Sequence, residues 1–448
     1  MDVEFLLNMG RTKGLEGVEI YKVETDSLAL TISNDKVKEA SASKTFSMGV
    51  RGYIGKKVAG VSINDENLNA EVAFEKLSSL IKTSIEDPNW VGFPPPRKGF
   101  VNIACRDERI IHADYAEVME AIKELMEIMK DEAVGNGAER ASVVEGMVRL
   151  GAQKITVANS EGVHTQDECT VSGIFIVLKT VTGTGESDKS FWIVNRRFDF
   201  AELESLGRNT ARLSLMFAGA KKIESGEYDL ILTPEAFAGI LVSALIPAFS
   251  ALNILEGRSP LKGKLESMVL HEKVNILDDP GMPFEIGSRG FDDEGMPTSS
   301  KVLVRRGVLK EILHNYYTSA RMKHETLGNG FRRNPSSPTT PYPTNFHVQP
   351  GESRLEDLQQ ELKKGLIVYE TIGQWMSNPY NGNVKATATH ALLVENGEIK
   401  GPVKGVLITG NIYEWLGSRL KGIGREVFTS EGVATPGLWV EKVRVAGE

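Results

Sequence analysis

The chain has 448 residues, more than one hydrophobic core organises well, so two or three domains are expected. Its hydrophobic and charged fractions, 41% and 25%, are those of an ordinary globular protein. A formal charge of −8 and the lack of any Lys/Arg-dense segment argue against a nucleic-acid track; Lys56-Lys57, Lys221-Lys222 and Arg332-Arg333 are isolated pairs.

Met1-Asp2-Val3-Glu4 has no basic n-region, so no secretory signal is expected there. Residues 2–13 read as a short helix. Residues 17–33 alternate apolar and polar, with Val18, Ile20, Leu28, Leu30 and Ile32 in phase, and read as two strands joined at Glu24-Thr25-Asp26. Asn34-Asp35 signals a turn. Residues 46–63 carry four glycines among β-branched residues and predict more strands with tight turns. Helical spacing runs over 68–81. Asp87-Pro88 and Pro94-Pro95-Pro96 then break the pattern and mark a linker over 86–99. An amphipathic helix with Val118, Ile122, Leu125 and Met129 on one face follows, then strands over 141–196 and a helix over 201–223.

Residues 229–233 predict a strand, and Pro234-Glu235 opens an apolar run to Leu252. Ser243, Pro247 and Ser250 interrupt that run, so it predicts a buried helix and no membrane span. Short strands are expected at 267–276, 301–305, 308–313, 365–370, 389–395, 403–409 and 438–445. The proline-rich segment 328–344 predicts a loop. The fold class is α+β: antiparallel strands flanked by helices in the N-terminal part, and a β-rich C-terminal half. The expected units are 1–85, a linker 86–99, a central unit 100–223 packing with the first, and 224–448.

No residue pattern declares a catalytic centre. His271-Glu272 and His324-Glu325 lack the second His that a zinc-peptidase helix needs one turn on. His314 and His324 are ten apart and could share a ligand only if the fold brought them together; lone histidines are usually structural or exposed. Nucleophile elbows and phosphate-binding glycine loops are absent. Cys105 and Cys169 match no metal spacing and fit a reducing compartment better than a disulfide scaffold. Asp278-Asp279-Pro280 and Asp292-Asp293-Glu294-Gly295 could suggest a cation site, but such runs more often make turns.

Ordered motifs carry more. Glu224-Ser225-Gly226-Glu227-Tyr228-Asp229 through Thr233-Pro234-Glu235-Ala236 is followed by Asp278-Asp279-Pro280, Phe291-Asp292-Asp293-Glu294-Gly295 and Arg306-Gly307-Val308-Leu309. Gly328-Asn329-Gly330-Phe331-Arg332, Val394-Glu395-Asn396-Gly397 and Ile408-Thr409-Gly410-Asn411 complete the series, with Gly49-Val50-Arg51 and Asn159-Ser160-Glu161-Gly162 upstream. In this order they resemble the TldD/PmbA family over nearly the whole chain. The resemblance implies a cytoplasmic protein related to zinc peptidases. TldD-type members look to carry His-Glu-x-x-x-His on the first C-terminal helix and a late cysteine, the metal activating water with Glu as general base. Here Ser243, Ala244 and Ala248 stand where His, Glu and His would, and Thr435-Pro436-Gly437-Leu438 brings no cysteine. No His lies between His164 and His271.

The resemblance therefore implies a PmbA/TldE-type subunit with no catalytic residue and no metal of its own. Zinc is expected in a TldD-type paralogue, paired with this chain as a heterodimer and acting on unfolded peptides. Alternatives are an independent homodimeric peptide- or ligand-binding protein, and an unorthodox hydrolase using Asp292, Asp293, Glu294 or a cysteine. Asn329, Arg332 and His390 are candidate substrate contacts. Family members carry the name of DNA gyrase modulators, but the acidic charge supports no direct DNA contact.

Overall fold

The computed structural model describes residues 2–65 and 69–447; Met1 and Leu68, where two sequence patterns began, lie outside them. Helix α1 (Val3–Thr12) is capped by Asp2, whose side chain accepts from the Glu4 backbone N–H. It leads into three antiparallel strands: β1 (Gly17–Ser33), β2 (Lys36–Ile54) and β3 (Lys57–Ile63). Helix α2 (Ala70–Thr83), a stretch without regular structure, α3 (Glu108–Ile111) and α4 (Tyr115–Gly135) follow. Then come β4 (Arg140–Asn159), β5 (His164–Thr182), β6 (Gly185–Asn195) and α5 (Phe200–Met216).

β1 is one unbroken strand of 17 residues, not two. Glu24-Thr25-Asp26 stays in the ladder because β2 and β4 pair with it on both sides. The turn lies at Asn34-Asp35, both in the left-handed region. Pairing of β1 with β4 fuses the first and central segments into one six-stranded sheet, ordered β3-β2-β1-β4-β5-β6. Strand alternation then sorts the side chains. Val18 and Ile20 turn to the core under α1 and α2; Leu28, Leu30 and Ile32 turn to the core under α4 and α5. The odd-numbered Glu19 and Tyr21 point to the opposite face.

Cys105 and Cys169, expected as free thiols, are joined by a disulfide with Cα atoms 4.9 Å apart. The segment before α3 runs beside β5, where Thr170 N–H donates to the Cys105 carbonyl at 2.8 Å. That pairing closes a sequence separation of 64 residues, which spacing alone could not disclose.

The C-terminal half starts with β7 (Gly226–Leu232) and α6 (Pro234–Ala244). The buried apolar run is not one helix. Proline cannot donate within it, so the chain tightens to a 3-10 turn (Ile246–Phe249) and resumes as α7 (Ala251–Leu255). Next are β8 (Ile276–Asp278), β9 (Lys301–Arg305), β10 (Val308–Leu309) and α8 (Tyr316–Met322). Only the end of the strand expected at 267–276 forms, with an isolated bridge from Met268 to Val308. The proline-rich loop holds a two-residue ribbon, β11 (Gly330–Phe331) on β12 (Thr340–Pro341). β13 (Phe346–Val348), α9 (Leu355–Glu361), β14 (Lys364–Ile372), β15 (Asn383–Glu395), β16 (Glu398–Val403), β17 (Val406–Asn411), α10 (Ile412–Trp415), β18 (Leu420–Ser430) and β19 (Val433–Ala446) complete the chain. The pairings β7–β14, β14–β15, β15–β17, β17–β19 and β19–β7 close a ring of five strands. α6 packs on this ring, with Phe237, Ile240 and Leu241 in its core.

Candidate functional site

A cleft of about 710 Å³ opens between the two halves. One wall is Lys189 and Trp192 of β6 with Asn209 and Leu213 of α5; the other is α6, with Tyr369 and Glu370 of β14 and Val427 of β18. Glu235, Ala238, Gly239 and Val242 form the cleft face of α6. Thr233 caps the helix and Pro234 sits at its first turn, which fixes where this face points.

Of the three positions matched to a metal motif, Ser243 is half-buried and donates its hydroxyl to the Gly239 carbonyl at 3.1 Å. Ala244 and Ala248 are buried in the core beneath the helix. From Ala238 to Ala248 no residue has an imidazole, carboxylate or thiol. The helix carries one carboxylate, Glu235, and no imidazole or thiol, so its own side chains do not make up the ligand set zinc needs.

Among the polar groups lining the cleft is Glu370, 2.5 Å from Lys189 Nζ and 3.5 Å from His390 Nδ1. His390 Nε2 donates to the Asp188 carbonyl at 2.6 Å, and the ring packs edge-on against Phe217. Burial, with Lys189 nearby, holds this imidazole below the usual histidine range despite Glu370. With its proton on Nε2, His390 offers Glu370 no hydrogen from Nδ1, so Lys189 is the group that holds this carboxylate.

Asn329 and Arg332 stand elsewhere. Asn329 is fully buried; its amide donates to Asp278 at 2.7 Å and to the Tyr342 carbonyl at 2.9 Å, and its oxygen accepts from Lys301. Arg332 lies on the outer face of the six-stranded sheet, paired with Glu19, which also meets Arg51 at 3.0 Å. Asp292, Asp293 and Glu294 join the same network. Asp292 accepts three backbone N–H groups, from Gly330, Glu294 and Met296. Arg289 lies 2.8 Å from Asp293 in an ionic contact whose N–H is not aimed at the oxygen. Glu294 accepts from Thr339 Oγ1 and Tyr316 N. All three carboxyls are buried and held by hydrogen bonds or ionic contacts within the protein.

Burial and the neighbouring Glu294 push Asp292 up to about 8, and burial raises Glu294 as well. Both folded values exceed the unfolded ones. Their stabilising contribution is full below about pH 4 and lost as pH rises through the folded values. Thermal scans should therefore show a midpoint falling between pH 5 and 9. Glu294→Gln, which keeps a carbonyl for Tyr316 N, should flatten that slope; an unchanged slope would refute the assignment.

The comparisons with known proteins follow this geometry. Family models of the PmbA/TldA metallopeptidase match in three consecutive pieces: domain 1 over 18–87, the central domain over 108–216 and the C-terminal domain over 225–447. The chain belongs to the PmbA/TldD family. TldE from Thermococcus kodakarensis is similar over 99% of both chains, with a TM-score of 0.88 and 25% identity. An uncharacterized protein of Methanocaldococcus jannaschii is 27% identical over 92% of this chain and 93% of its own. A metalloprotease of Archaeoglobus fulgidus is 26% identical over 91% and 92%. No described helix of this PmbA/TldD protein is long and apolar enough to cross a membrane.

The cleft walls were invisible in sequence because Lys189, Asn209, Glu235, Glu370 and Val427 come from five separate segments. Glu19 had a usable signal, a carboxylate between Val18 and Ile20 in a buried strand.

Proposed function

We propose that this chain is the TldE-type, non-catalytic subunit of a TldD/TldE-like peptidase acting on unfolded peptides. The carrying observation is that Ser243, Ala244 and Ala248, the positions matched to the metal motif of TldD-type members, offer no imidazole or carboxylate. In this reading the cleft shapes and admits substrate while a TldD-type paralogue supplies zinc. Among the named strands β18 pairs only with β19; residues 351–353 bridge its other edge at Gly424 and Arg425, and the stretch beyond, with the exposed Val427, lines the cleft. An extended peptide can add to such an edge through main-chain hydrogen bonds, which tolerate many sequences.

The test is hydrolysis of an unfolded peptide by the purified chain with added zinc, by a TldD-type paralogue, and by their mixture. Activity should rise at least tenfold in the mixture and be absent from this chain alone. Turnover by the isolated chain sinks the reading.

A further inference from the structure

Two histidines outside the cleft are brought together by the fold. Glu311 and His314 follow β10, and Asn315 caps α8 through a capping box with Thr318. The helix runs only to Met322, and Lys323 takes a left-handed conformation that turns the chain back. His324 then stacks on His314, ring centroids 4.6 Å apart and 11° from parallel. Its Nε2 lies 3.4 Å from Glu311 Oε1. One donor atom from each of the three residues falls within 4.8 Å of the others.

Hydrogen bonds on the far side of each donor set the lone pairs. His324 Nδ1 contacts the Glu325 carbonyl at 2.8 Å. A carbonyl only accepts, so Nδ1 carries the proton and Nε2 keeps its lone pair. His314 Nδ1 meets Thr318 Oγ1 at 3.2 Å, while that hydroxyl can donate to the Asn315 carbonyl. His314 Nε2 is buried without any hydrogen-bond partner among the described residues, and the residue is 1% exposed. A buried polar nitrogen left without a partner is costly and calls for an explanation. Glu311 Oε1 accepts from the Ile312 backbone N–H at 2.9 Å, which holds the carboxylate in place.

We infer that Glu311, His314 and His324 form a binding site for a divalent transition metal of the zinc class. Two imidazole nitrogens and one carboxylate oxygen are a donor set that zinc accepts, with a fourth position left for water. Zinc–ligand distances near 2.1 Å require the donors to close to about 3.3 Å from one another. An imidazole lone pair lies in its ring plane, so the His324 ring must also swing out of its stack on His314; Glu311 and His324, both partly exposed, supply these movements while buried His314 is the fixed point. None of the three lines the cleft, so the site is independent of the proposed peptide groove. Its position ties both ends of α8 to the segment after β10.

The full chain, stripped with a chelator and dialysed, is titrated with zinc by calorimetry and with cobalt as a spectroscopic probe. One equivalent is expected, with the visible absorption of low-symmetry cobalt. His324→Gln and Glu311→Gln alter partly exposed residues and leave the core intact; circular dichroism confirms folding. Each should weaken binding by at least about 100-fold, since even outer-shell changes cost 10- to 100-fold. Zinc should raise the thermal midpoint of the native chain and not of His324→Gln. No binding at micromolar zinc, or equal affinity in both variants, overturns the site. Peptide hydrolysis plays no part in this readout, so the subunit reading stands or falls separately.

Discussion

Arg332→Ala should destabilise the protein by about 3–5 kcal/mol, the usual cost of removing one partner of a buried ion pair. Its side chain is 1% exposed. It donates to Glu19, to the Asp293 carbonyl and to the Ser337 carbonyl at 2.8 Å, bridging the six-stranded sheet to the C-terminal loops. Glu19, itself 2% exposed, would be left with Arg51 alone. Around this point three guanidinium groups (Arg51, Arg289, Arg332) face four carboxyls (Glu19, Asp292, Asp293, Glu294). Losing Arg332 removes one of the positive charges set against these carboxyls. Thermal scans should show a drop of roughly 3–5 °C. Limited proteolysis should also find the 328–344 loop more readily cut. Arg332→Lys should recover little, because an ammonium cannot span the same three acceptors. A loss under about 1 kcal/mol would mean the network is not what holds the halves together.

Gly49→Ala should cost about 1–3 kcal/mol through steric crowding. Gly49 pairs with Tyr21 in the sheet and faces the same loop. A Cβ there would sit 1.9 Å from the Pro335 carbonyl oxygen and 2.5 Å from Ser336 N. Both are backbone atoms, so no side-chain rotation relieves the clash. Gly60, on the neighbouring strand, meets Ser336 O at 2.4 Å in the same way. The two glycines form a flat seat on which residues 335–336 rest, and Ser62 joins Ser336 by a 2.6 Å hydrogen bond. Gly173→Ala is the matched control. It lies in β5 with open space at its Cβ, so its change should stay within about 0.5 kcal/mol. Equal effects at both positions would show that strand glycine itself, rather than the seat, sets the cost.

Much of this fold can be read from periodicity. Val18, Ile20, Leu28, Leu30 and Ile32 keep one phase along β1, and all are buried. Where the reading failed, a tertiary partner had overridden a local signal. Glu24-Thr25-Asp26 looks like a turn in isolation but is paired on both edges. Pro247 splits a helix that composition alone would continue. The 267–276 segment has strand-like residues but only an isolated bridge to pair with. The lack of ligating side chains over 238–248 is a matter of sequence alone and needs no coordinates. The meeting of His314 with His324 could not be read there. It depends on a seven-residue helix and the left-handed turn at Lys323, which nothing in the ten-residue spacing announces.

The closed ring of strands in the C-terminal half has a consequence for how the chain folds. β7 ends at Leu232, yet one of its two neighbours, β19, begins only at Val433. During synthesis, then, Leu230, Ile231 and Leu232 leave the ribosome long before that edge can be covered. The six-stranded sheet, complete at Asn195, can assemble in the meantime. Such long-range pairing is slow and leaves apolar strand edges exposed to wrong partners. Aggregation during biogenesis should thus be governed by the wait between these two strands, and chaperone demand should fall on the C-terminal half.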